Sequence, residues 1–154
     1  MALFVLQHLP RKLQLTSVVL LAAAISRRFD AKRLARRTTH GIWNFWSRGD
    51  LPAVGLGTLI FGTMDRRRAT SAGALGFRHG SGHLKTDTSQ GGQLFDVGYE
   101  WNMIRSWNLG GHFGCTNAAF VARYVAPIVE GRVNSVPSLH RAATGVRNAV
   151  ANRE

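Results

Sequence analysis

Fourteen uncharged residues, Leu51–Met64 (LPAVGLGTLIFGTM), lie between Asp50 and the cluster Asp65-Arg66-Arg67-Arg68, and no other stretch limits the fold as sharply. Asp50 ahead of Pro52 marks a helix start, because Asp caps exposed amides and Pro is tolerated in a first turn. As an α-helix the run would be ~21 Å long at ~1.5 Å per residue, short of the ~30 Å hydrocarbon core of a bilayer. Small residues recur four apart, Ala53 with Gly57 and Thr58 with Gly62, a spacing that lets a second helix approach closely. The expectation is a short membrane-associated helix packed on a partner through Ala53, Gly57, Thr58 and Gly62. Arg66, Arg67 and Arg68 would hold its far end at an anionic surface. A nucleotide loop is excluded: GLGTLIFG lacks both a Gly-Lys-Ser/Thr ending and a correctly spaced third glycine.

Charge narrows the partners. The chain has 154 residues and a formal net charge of +12, with 17 Arg against 3 Lys. An anionic partner is implied, whether phospholipid, RNA or acidic neighbouring subunits. Hydrophobic content nevertheless stays at 45%, so this is no disordered basic tail. Residues 1–40 carry +7 and residues 69–115 carry zero, which divides the chain into a basic N-terminal region (1–40), a glycine-rich centre (41–134) and a basic C-terminal region (135–154). One cysteine, Cys115, excludes an internal disulfide and a Cys-based metal site.

The N-terminal region has the marks of a targeting segment. Pro10-Arg11-Lys12 precedes the apolar run Leu13–Ser26, and Arg27-Arg28 and Arg36-Arg37 follow with Asp30 the only acid. Basic, nearly acid-free sequence fits a mitochondrial presequence. Val18, Leu21, Ala22, Ile25 and Phe29 fall on one helical face, so a retained, anchor-like helix is expected, with a buried helix of a compact domain as the competing reading. Gly41–Trp46 (GIWNFW) then places three aromatics in six residues, suited to a membrane interface or to a core.

The centre holds the clearest local pattern. Phe95, Val97, Tyr99, Trp101 and Met103 alternate with Asp96, Gly98, Glu100 and Asn102. Trp107, Leu109, Gly111, Phe113 and Cys115 continue the parity after Ile104-Arg105-Ser106. Such alternation predicts an antiparallel hairpin over about 95–115. The hairpin resembles those of bacterial outer-membrane β-barrels, though a barrel requires at least about eight such strands. Residues 109–129 also read as a strand plus a helix, or as one membrane helix with Gly110 and Gly114 on its packing face. Ser135-Val136-Pro137 opens a C-terminal helix whose face Leu139, Ala142, Ala143, Val146 and Val150 is apolar, opposite Arg141, Arg147 and Arg153. The expected class is therefore α+β, with helical basic ends and one hairpin.

No reaction is encoded in a recognisable motif. Asp96 and Glu100 would share a strand face, His112 lies near Cys115, and His79 and His83 are four apart, but none of these completes a catalytic or metal-binding set. No cofactor, metal or small-molecule substrate is expected. The readings that follow are a non-catalytic structural subunit of a membrane-embedded multiprotein complex, most naturally of the mitochondrial inner membrane (a respiratory or ATP synthase complex); an rRNA-binding protein of a mitochondrial ribosome; and a small outer-membrane β-barrel. The phosphate-contacting residues would be Arg27, Arg28, Arg36, Arg37, Arg66, Arg67 and Arg68, meeting anionic phospholipid or RNA beside other protein subunits.

Overall fold

The computed structural model describes residues 2–10, 12–50, 63–65, 70–77, 92–111 and 114–151. Its centre is a three-stranded, fully parallel sheet: β1 (Val18–Leu21), β2 (Ile42–Trp46) and β3 (Leu94–Gly98), in the order β1-β2-β3. Register pairs Val18 with Ile42 and Ile42 with Leu94, so Leu20, Asn44 and Asp96 stand in line across one face. Parallel strands are buried on both faces and read as near-continuous apolar runs. That is why IWNFW, in β2, is buried along almost its whole length.

Helices cover each face. On the first lie α1 (Ala2–His8), α2 (Ala31–Ala35) and α3 (Ala72–Leu75). Leu3, Leu6, Leu34, Ala35, Ala72 and Phe77 pack there on Val18, Leu20 and Ile42. Asp30 caps α2 by accepting from the Arg33 amide (3.1 Å), and Ser71 caps α3 by accepting from the Ala74 amide (3.3 Å). The start of α3 is stitched to the chain leaving β1, with Ala72 N donating to Ile25 O (2.7 Å) and Gly73 N to Ala23 O (2.9 Å). A side chain at Gly73 would overlap the Ala22–Ala23 backbone, so only glycine permits this approach.

The second face is covered by the helical segment 118–129, here α4, and by α5 (Val136–Ala151). Phe120, Tyr124, Ile128, Leu139 and Ala143 bury Trp43, Phe45 and Val97. Trp43 stacks on Phe95 at 4.1 Å between ring centroids, and Phe45 meets Phe120 edge-on at 5.4 Å. Within α4 a π-turn at Val121–Val125, where the Ala126 amide bonds Val121 O, precedes Pro127. Pro127 has no amide and its ring would crowd the carbonyl four residues back, so the wider turn fits the sequence there. Ser135 and Ser138 open α5 by exchanging side chain-to-amide bonds (3.1 and 3.3 Å).

Several expectations are corrected. The mixed helix and strand content agrees with a mixed class, but the antiparallel hairpin at 95–115 is absent. β3 pairs in parallel with β2 and stops at Gly98, and the chain then enters a 3-10 helix, Trp101–Ser106. Beyond Trp46 the β2 backbone gives one more bond, Tyr99 N to Trp46 O (2.9 Å), so pairing ends and period-two alternation has nothing to hold it. Residues 13–26 form no helix: Val18–Leu21 is β1, and the supposed helical face is split between the two faces of the sheet. Neither reading of 109–129 holds as a whole. Gly110 has φ +77, a 3-10 turn occupies Gly114–Thr116, and the helix begins only at Ala118. Among the described residues no helix is long and apolar enough to cross a membrane. Residues 51–62 and 66–69, and with them Ala53, Gly57, Thr58, Gly62 and Arg66–Arg68, lie outside the described residues, as do His79, His83 and His112.

Candidate functional site

Three places could carry function: the arginines flanking α2, the polar line across the first sheet face, and the turn that follows β3.

The arginines divide by use. Arg37 donates through Nη1 to Leu6 O and through Nη2 to Leu9 O (2.9 Å) and Pro10 O (2.7 Å), satisfying carbonyls at the end of α1. Arg27 donates through Nε to Gly76 O (2.8 Å) and is half-buried. Arg28 and Arg36 are exposed, as are Lys32 and Arg33 between them. The basic segment thus spends two guanidinium groups on its own backbone and displays the others.

The polar line is built by register. Asn44, fully buried on the central strand, donates through Nδ2 to Asp96 Oδ1 (2.7 Å) and to Ala72 O (3.0 Å). The Phe77 amide reaches both Asp96 oxygens (3.1 and 3.3 Å). Burial pushes the Asp96 carboxyl up to about 6, against the Asn44 and Phe77 hydrogen bonds and the nearby Arg27 charge, which hold it down. Asn44 Oδ1 has no partner among the described residues. This group docks the segment 70–77 onto the sheet. It holds one carboxyl and no nucleophile or second acid. Asp96 and Glu100 do not share a strand face, because Glu100 lies past the end of β3, exposed, accepting from Asn102 Nδ2 (3.1 Å) and facing His140 Nδ1 (3.2 Å).

Ligands of parallel sheets usually bind beyond the carboxyl ends of the strands. Among the described residues that edge leaves little room. Ala22, Ser47, Tyr99, Asn108 and the buried Cys115 enclose about 20 Å³, room for a single water. Ser47 Oγ donates to Gly110 O (2.5 Å), and Asn108 Oδ1 accepts from the Gly110 amide (3.0 Å), closing the loop over the edge. No three His, Cys, Asp or Glu side chains of the described residues come together as a metal would need.

The turn after β3 went unforeseen. Four large apolar side chains stand in solvent within nine residues: Trp101 (81% exposed), Ile104 (44%), Trp107 (71%) and Leu109 (70%). Met103 and Ser106, on another row of the same 3-10 helix, are 1% exposed. The spacing of three in Trp101-Asn-Met-Ile104-Arg-Ser-Trp107 was the available signal, hidden beneath the longer alternation. By contrast the GIWNFW aromatics, an alternative for an interfacial role, are core: Trp43 and Phe45 are buried and Trp46 lies against Gly98.

No family model, curated protein or solved structure matches this chain.

Proposed function

We propose that this chain is a non-catalytic structural subunit of a multiprotein assembly at a membrane, with the mitochondrial inner membrane as its setting. The observation that carries the reading is the tryptophan turn: an apolar surface of this kind on a chain of net charge +12 is built for contact, not for turnover. The exposed arginines Arg28 and Arg36, either side of α2, offer positive charge to anionic lipid or acidic neighbours. The basic, nearly acid-free first forty residues support the mitochondrial setting. The barrel reading rested on the hairpin and loses its support with it.

An rRNA-binding role shares the arginines, and the two are separable by fractionation. Organelle membranes are washed at high salt and with ribonuclease, then extracted in mild detergent and run on a sucrose gradient. The chain is expected to stay with the membrane through both washes and to sediment within a large detergent-soluble assembly. Release by ribonuclease or salt, with co-sedimentation on a ribosomal particle, would favour RNA. Sedimentation as an isolated monomer would defeat both readings.

A further inference from the structure

The geometry points to the turn Trp101–Leu109 as an element that inserts into the headgroup region of an anionic bilayer. This rests on the membrane setting proposed above and names the residues that make the contact.

In a 3-10 helix residues three apart eclipse one another. Trp101 and Ile104 therefore share one row of the helix Trp101–Ser106, and Trp107 follows three further on, ending the helix in the left-handed region (φ 59). The rest of the helix is held firmly: Met103 and Ser106 are buried, Arg123 Nη1 donates to Ser106 Oγ (3.3 Å), and Tyr124 Oη donates to Asn102 Oδ1 (3.4 Å). The apolar side chains are thus presented from a fixed base.

Their exposure, up to 81%, means that they stand off the surface and do not line a groove. A partner must close around them, as lipid headgroups and upper acyl chains do, and tryptophan is favoured at that depth. Nucleobases would stack on the indoles but gain nothing comparable from Ile104 and Leu109. Charge agrees. Between Val97 and Val129 the only acid is Glu100, while Arg105 and Arg123 are basic. Glu100 is engaged by Asn102 and His140, whereas Arg105 is exposed on the row next to the apolar one. An arginine beside an aromatic wedge, on a strongly basic chain, complements an anionic interface.

The test uses the full chain with vesicles of phosphatidylcholine alone or mixed with phosphatidylglycerol. Binding is read by co-sedimentation and by tryptophan emission, to which Trp43 and Trp46, packed in the fold, contribute a constant background. The expected result is binding to the anionic vesicles with a blue shift. Trp101→Ala with Trp107→Ala should weaken partitioning about a hundredfold, roughly tenfold per indole, with an unchanged thermal melt. Arg105→Gln should weaken binding only to the anionic vesicles. Should the double variant melt early, Leu109→Ser, outside the helix, carries the same test with a severalfold loss. Absent binding to anionic vesicles, or binding untouched by all these changes, overturns the inference. So does an oligoribonucleotide that quenches the indoles and displaces vesicles. If vesicle binding fails while the chain still sediments with a large membrane assembly, the lipid contact falls and the subunit reading stands.

Discussion

Asp96 shows what the register costs a single residue. Its carboxyl lies on the first face of the sheet beside Asn44, and burial there raises it from 3.8 to about 6. Between those values the folded chain holds a proton that the unfolded chain has lost. The group therefore favours folding below about pH 4, and that contribution is lost as pH rises through 6. Asp96 is only partly buried, so the effect should be roughly 1–2 kcal/mol, below the full value of a two-unit shift. We predict that urea denaturation from pH 4 to 7 will show the parent chain losing this much relative to Asp96→Asn, whose curve lacks the decline. Stability curves that run parallel over that range would show the carboxyl to be fully hydrated. Nothing in the sequence marks Asp96 as special. Its neighbours Phe95 and Val97 suggested a solvated strand position, and only pairing with the distant β2 brings Asn44 and the Phe77 amide to it.

Elements were legible where one local period decided them and illegible where a distant partner did. The serine-opened C-terminal helix is local, and α5 begins where Ser135-Val136-Pro137 places it. Alternation through Phe95 and Val97 is real, since β3 is a strand. Which strand it joins, and in which direction, is set by burial against β2 and by α3, and is invisible to a window of ten residues. The same blindness carried the alternation past Gly98 into a 3-10 helix. A strand would put Trp101 and Met103 on one face; a 3-10 helix separates them. Their energetics should differ accordingly. Met103→Ala is expected to cost about 2–4 kcal/mol, as emptying a core position does. Trp101→Ala should change stability by no more than about 0.5 kcal/mol. Thermal or denaturant unfolding of the two variants decides the matter, and equal losses would restore the strand.

At the scale of the whole molecule, the question is what a charge of +12 is for. The sequence made the arginine clusters plain and suggested that all of them meet an outside anion. The fold distinguishes them. Arg37 gathers the carbonyls of Leu6, Leu9 and Pro10, a purely internal task that a neutral polar side chain could not match in number of donors. Arg28 and Arg36, near it in sequence, are exposed. Removing the first should therefore damage the fold and removing the others should damage recognition. Arg37→Met is expected to lower stability by about 2–3 kcal/mol, since the part-buried carbonyls of Leu6 and Leu9 and the exposed one of Pro10 lose a charged donor. Arg28→Gln with Arg36→Gln should leave the melt within about 0.5 kcal/mol of the parent while reducing binding to anionic vesicles most at low salt, where unscreened charge acts over the longest distance. Denaturant titration and vesicle sedimentation across a salt series read the two effects separately. The opposite pattern, a stable Arg37 variant and an unstable Arg28/Arg36 pair, would mean that α1 is held by its apolar face of Leu3 and Leu6 alone and that the displayed arginines serve the fold.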